Sequence, residues 1–283
     1  SPTFTGTITI GSAGISETEL EILDGLTVTT AELNVLDASL KENNSIWIGS
    51  DPSGTTDSAS NSVAFGVTAL DAITTGDANT AIGYGSMTAN TTGGQNTAVG
   101  TNSFVTNTTG AYNTAVGNNA LYANTTANSN TAVGYGSGEN ITTGASNTAV
   151  GTDSLKQNTT ASNNVGIGAS ALTDNTTGAN NVAVGHTASA NNTTGTGNVS
   201  IGQNNFEANT TGSNNVAVGL NTLGSNTTAD NNVAIGKSAL VLNTTGTQNT
   251  AVGSMALEAS TTASKNTGIA FKALEANTTG TQN

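Results

Sequence analysis

His186 is the single histidine of the chain, and so the one side chain whose ordinary titration falls near neutral pH. A catalytic base of that kind needs a nucleophile and an orienting partner. His186 follows Gly185 with no such cluster around it, which predicts an exposed loop residue. The carboxylates Glu139, Asp153, Asp174, Glu207, Asp230, Glu258 and Glu275 fall singly. A glycosidase flanks the scissile bond with a carboxylate pair, and a calcium-binding repeat places Asp at one fixed column. Neither pattern is present. The chain has no cysteine and no arginine, which excludes disulfides, thiolate nucleophiles, Cys zinc sites and Arg clamps. A formal net charge of −13 excludes a nucleic-acid footprint. No apolar run is long enough to insert in a membrane. The chain is therefore expected to be no enzyme and to use no cofactor or metal.

Two chemistries remain. Sugars can stack on aromatic rings, and Trp47, Phe104, Tyr112, Tyr122, Tyr135 and Phe206 supply rings. Phe104 and Phe206 occupy a recurrent apolar position and are expected in the core. Tyr112, Tyr122 and Tyr135 stand at variable positions and are the candidate glycan contacts. Asn-Thr-Thr triplets match the N-glycosylation sequon, but ten copies in one fixed turn read as structure. Flat threonine arrays can also order water, as in ice-binding proteins. Adjacent threonines would, however, point to opposite faces of an extended segment.

What positions these residues is a repeat. NTAVG from Asn96 to Gly100 recurs at Asn113, Asn130 and Asn147, always at a step of 17 residues. Variants keep that step from Ile46 to the NTGIA that begins at Asn266, without insertion or deletion. The unit reads N-[TV]-A-[VI]-G-x-x-[AS]-L-x-x-N-T-T-[GA]-x-x. Such a period is too short for a βαβ unit and predicts one coil of a β-solenoid, with two short strands and two corners. Coils stack at the inter-strand spacing, so about 14 of them make a rod roughly 65 Å long.

Within the first strand, alternation puts Thr97 and Val99 on one face and Ala98 and Gly100 on the other. The β-branched column containing Val99, Val116, Val133 and Val150 is expected to form the core, with the column containing Leu121, Leu155, Leu172 and Leu240. Asn79, Asn96, Asn113, Asn130, Asn147, Asn181, Asn215 and Asn232 are expected to form a side-chain ladder, each amide bonded to its copies above and below. One Val and one Leu per coil make a thin core. Three chains are therefore expected to pack along their flat Ala/Gly faces into a homotrimer.

Residues 1–44 differ from 45–283. Phe4, Ile8 and Ile10 alternate with Thr and Gly, which signals a short strand. Ser16 with Glu19, and Thr29 with Glu32, fit the capping box. They predict two short helices, over 16–25 and 29–38, and so a small α/β junction before the all-β array. The chain starts at Ser1 rather than Met, and Asn283 opens a further copy, so a fragment is expected.

Over 45–283 the NTAVG/NVAIG motif resembles the SVAIG repeat of trimeric autotransporter adhesin heads, the YadA-like left-handed parallel β-roll. SPTFTGTITIG, ISETELEILDG and TTAELNVLDAS resemble segments of phage tail fibres, especially those of marine and cyanobacterial phages. The resemblance implies a homotrimeric fibre shaft, borne on the virion and extracellular, with other fibre or virion proteins at its ends. It would extend a host-recognition element from the particle. The alternatives are an adhesin that contacts host surface glycans through the solenoid flank, and a bacterial cell-surface location.

Overall fold

In a computed structural model of the chain, the described residues are 8–10, 13–15, 45–49 and 59–283. The chain divides into two compact units, Ser1–Leu40 and Lys41–Asn283. In the first, β1 (Ile8–Ile10) pairs antiparallel with β2 (Ala13–Ile15), Ile8 standing opposite Ile15. The helices expected over 16–25 and 29–38 lie outside the described residues.

The second unit is an all-β parallel solenoid, with no helix among its described residues. Its strands are β3 (Ile46–Gly49), β4 (Val63–Gly66), β5 (Thr80–Ile82), β6 (Thr97–Val99), β7 (Thr114–Val116), β8 (Thr131–Val133) and β9 (Thr148–Val150). The series continues through β10 (Val165–Ile167), β11 (Val182–Val184), β12 (Val199–Ile201), β13 (Val216–Val218), β14 (Val233–Ile235), β15 (Thr250–Val252) and β16 (Thr267–Ile269). They form one 14-stranded sheet in strict chain order. Every pairing is in the repeat register, as in Thr97 with Thr114 and Val99 with Val116.

Each coil carries one strand, where two were expected. The opposite side is a run of turns, because it alternates through left-handed backbone: φ is 53° at Asn102 and 55° at Phe104, and the same two columns repeat this down the rod. Left-handed conformations cost a residue with a Cβ about 1–2 kcal/mol and cannot continue as a strand. Inter-coil hydrogen bonds hold them. Asn102 N–H donates to Tyr84 O at 2.8 Å and Phe104 N–H to Ala120 O at 2.9 Å. The backbone polar groups on this side are thus paired between coils without a strand.

The interior corrects one assignment. The Ala98 column faces inward, with Ala81, Ala98, Ala115 and Ala132 all at 0% exposure. Leu121, Leu155, Leu172 and Leu240 lie across the lumen from it and are likewise buried. Val99, Val116, Val133 and Val150, expected in the core, point out of the coil, Val133 being 37% exposed. The reason is lumen width. At Gly166, in the alanine column, a Cβ would lie 2.7 Å from Ser154 Oγ and 3.2 Å from Leu155 Cγ. From β4 onward the space between strand and turn holds a residue no larger than Ala or Ser beside one long side chain, and the β-branched residues of the strand turn outward. The Ala face is therefore enclosed within each coil and cannot form the expected contact between chains.

Candidate functional site

The most ordered chemistry of the solenoid is two columns of buried amides. The first contains Asn79, Asn96, Asn113, Asn130, Asn147, Asn181, Asn215 and Asn232, all at 0–1% exposure. Amide-to-amide bonds join some of its members, Asn113 Nδ2 donating to Asn96 Oδ1, Asn147 Nδ2 to Asn130 Oδ1 and Asn215 Nδ2 to Asn198 Oδ1, each at 3.2 Å, but the contact that recurs from coil to coil runs from side chain to backbone. Asn79 Oδ1 accepts the backbone N–H of Asn96 at 3.0 Å, and Asn96 Oδ1 accepts that of Asn113 at 2.9 Å. The same arrangement joins Asn113 to Asn130 and Asn130 to Asn147, both at 2.9 Å. The amide nitrogen serves its own coil: Asn96 Nδ2 donates to Gly110 O, and Asn147 Nδ2 to Ala161 O, each at 2.9 Å. Asn181, Asn215 and Asn232 repeat that closure onto Gly195, Ala229 and Gly246. One side chain therefore joins coil to coil and pins the start of its coil to the far corner.

The second column is the Asn of each Asn-Thr-Thr corner, which the sequence reading treated as a turn residue. Here the amide-to-amide bonds run through most of the column. Asn175 Nδ2 donates to Asn158 Oδ1 at 3.1 Å, Asn192 to Asn175 at 2.8 Å and Asn209 to Asn192 at 2.7 Å. These are the sequon asparagines, and Asn107, Asn158 and Asn209 are at 0% exposure. No sugar can be carried on them in the folded coil. The first Thr of each corner but the last is half-buried, and its hydroxyl donates to the next coil, as Thr91 Oγ1 does to Thr108 O at 3.0 Å. The second, as at Thr92 and Thr109, is exposed.

Tyr112, Tyr122 and Tyr135 are exposed at 61%, 38% and 55%. They occupy three different columns: Tyr112 precedes the strand, Tyr135 follows it, and Tyr122 sits beyond the Leu column. The solenoid does not gather them into one patch. Tyr84, 60% exposed, shares the column of Tyr135 three coils earlier, and the sequence reading passed over it. Trp47, a ring considered for sugar stacking, is 3% exposed and stands in the alanine column, where Phe104 and Phe206 are also interior across the lumen.

His186 is exposed on the column after the strand glycine. The ionic clusters are small. Lys156 Nζ lies 2.9 Å from Asp153 and 3.6 Å from Glu139, and the Asp153 hydrogen bond raises the lysine's pKa. Lys272 bonds Glu275 at 2.7 Å, which raises it likewise. Among the described residues no group of three His, Asp or Glu is placed to hold a metal ion. No described helix is long and apolar enough to cross a membrane. No family model, curated protein or solved structure matches the chain.

The remaining surface feature is the outer face of the sheet. Thr97 and Val99, and their copies from β3 to β16, form two parallel columns of Thr, Val, Ile and a single Phe. Ile82, Val133, Ile167, Ile201 and Ile235 present 37–41% of their surface there. Their copies above and below cover their flanks, so what remains open is the outward tip of each side chain.

Proposed function

We propose that the chain is a structural, non-enzymatic shaft segment of a viral tail fibre, extracellular on the virion, which holds a host-recognition element at a distance from the particle. The observation that carries this reading is the unbroken register. Fourteen strands stack in chain order, and a buried side-chain column, Ser45 and Ser62 followed by Asn from Asn79 onward, locks coil to coil. Such a stack resists bending and stretching, because every coil is hydrogen-bonded at its strand, its turn side and its corner. The likeness of the N-terminal segments to phage tail fibres supports the virion setting. Its partners are copies of itself and, at its ends, other fibre or virion proteins.

Electron microscopy of particles labelled with an antibody to the solenoid tests it. Label along a fibre stem, short of its tip, is expected; label confined to the tip, or absent from particles, overturns it. The exposed column shared by Tyr84 and Tyr135 favours a second reading, an adhesin whose flank stacks on host surface glycans on a virion or a bacterial surface. Glycan-array binding lost in a Tyr84→Ala, Tyr135→Ala double variant would select that reading.

A further inference from the structure

One corner of the array breaks the asparagine column without filling its place. Ser260 stands where Asn209, Asn226 and Asn243 stand in the coils before it, and all four are at 0% exposure. In those coils the amide nitrogen meets two acceptors, the amide oxygen of the preceding coil and the carbonyl three residues on in its own. Asn226 Nδ2 donates to Asn209 Oδ1 at 3.1 Å and to Ala229 O at 3.2 Å. Asn243 Nδ2 donates to Asn226 Oδ1 at 3.1 Å and to Gly246 O at 2.9 Å. Serine has no such nitrogen, and Asn243 Oδ1 and Ser260 Oγ are both buried without a partner. A third oxygen joins them. Ala229 O takes both Asn215 Nδ2 and Asn226 Nδ2. Its copy Ala263 O takes Asn249 Nδ2 at 2.8 Å and has lost the second donor, because residue 260 is serine.

The backbone has not closed over the difference. Ser260 N–H donates to Leu257 O at 3.1 Å, as Asn226 N–H does to Leu223 O and Asn243 N–H to Leu240 O at the same distance. The corner also has room for a whole amide beside an alanine, since Asn158 with Ala161 and Asn226 with Ala229 occupy it. Serine leaves part of that room free, and one water, whose share of the liquid is about 30 Å³, suits it. Buried oxygens left unpaired cost free energy, and a buried water typically makes about three hydrogen bonds to such groups. None of the three groups is charged, so they do not offset the cost of stripping a cation of its own hydration. We propose that one water is bound at this corner as a fixed part of the coil. It donates to Asn243 Oδ1 and Ala263 O, in place of the missing amide nitrogen, and accepts the O–H of Ser260. The inference rests on the corner alone, so it can fail while the shaft reading stands.

Crystals of the full-length chain test it. Density is expected to show one peak within hydrogen-bond distance of Asn243 Oδ1, Ser260 Oγ and Ala263 O, and Ser260→Asn is expected to replace that peak with its own Nδ2. A corner without the peak, or Ser260 Oγ bonded directly to Asn243 Oδ1, overturns the proposal. So does a peak that gains anomalous scattering after a soak in thallium(I), the mark of a monovalent cation. Thermal unfolding gives a second reading that needs no crystal. If Ser260 Oγ were simply unpaired, Ser260→Ala would remove a cost and raise the midpoint. With the water bound, the same change takes away one of its three bonds. The midpoint is then expected to fall by about 2–4 °C, the shift for one lost hydrogen bond in a chain of this size. An unchanged or raised midpoint overturns the proposal.

Discussion

Gly138 and Ile141 depart from the repeat together. Gly138 stands where most coils have Leu, Phe or Met, and Ile141 stands where most have the corner Asn, although Ile73 in an earlier coil stands beside Leu70. A Cβ on Gly138 would lie 3.0 Å from Ile141 Cδ1 and 3.1 Å from Leu121 Cδ2, so Ile141 fills the space a leucine would take. The exchange removes the amide that would donate to Asn124 Oδ1 in the coil before, and that oxygen is buried without a partner. Restoring one residue alone is expected to harm the coil. Ile141→Asn empties the core for about 2–4 kcal/mol, and Gly138→Leu overfills it for about 1–3 kcal/mol. The double variant restores the ordinary coil and returns Asn124 its neighbour. Denaturant unfolding of the four proteins is expected to show a coupling of about 1–3 kcal/mol in favour of the pair. At this scale sequence and structure also part company. Alternation fixed that Ala98 and Val99 oppose each other, but not which of them is inside. The lumen decides that, and the left-handed backbone at Asn102 and Phe104 sets the lumen. Asn102 and its copies Asn119, Gly136 and Asp153 are types that tolerate such a φ, but Phe104 and the Leu residues of its column carry no signal of it. Leu121 and Leu155 were legible as core because a long apolar residue recurring once per coil has nowhere else to go.

A coil is stable only through its neighbours, so weak coils matter more than weak residues. The buried apolar residues fall into two clusters, one ending at Ala188 and the other beginning at Phe206. Between them lie five buried polar residues: Asn192 and Asn198 of the two amide columns, and Ser189, Ser200 and Asn205. Asn205 Nδ2 donates to Ile201 O at 3.0 Å, Ala217 O at 3.1 Å and Gly219 O at 2.9 Å, while its Oδ1 is buried without a partner. In a stack whose stability is a sum of nearest-neighbour terms, this layer is the place where opening costs least. Native-state hydrogen exchange is expected to protect the blocks on either side more than the amides near Ser200 and Asn205, by about 1–2 kcal/mol. Equal protection across the layer would show that the amide bonds offset the missing apolar contact. The 17-residue step and its strand were legible in the sequence. The missing second strand was not, because a turn with paired backbone groups leaves the same apolar spacing as a strand.

Over its length the rod is nearly neutral: from Asn79 onward it has seven acidic residues against four lysines. Each column meets its own copy in every coil, and a repeated charge at that spacing would repel itself. Stability therefore rests on uncharged amides, threonines and a thin apolar core, which salt screens little. Raising sodium chloride from 0.01 to 1 M is expected to move the thermal midpoint by no more than about 2–4 °C, the equivalent of about 1 kcal/mol or less; calorimetry would read a larger fall as a sign that ion pairs carry the fold. The unbroken register has a consequence for inheritance. Loss or gain of whole repeats leaves every coil intact, so near-identical copies make the gene a ready substrate for recombination that changes rod length in steps of about 4.8 Å. A chain that had lost one threonine coil would still fold. Length variants would then differ in reach while keeping every contact between neighbouring coils.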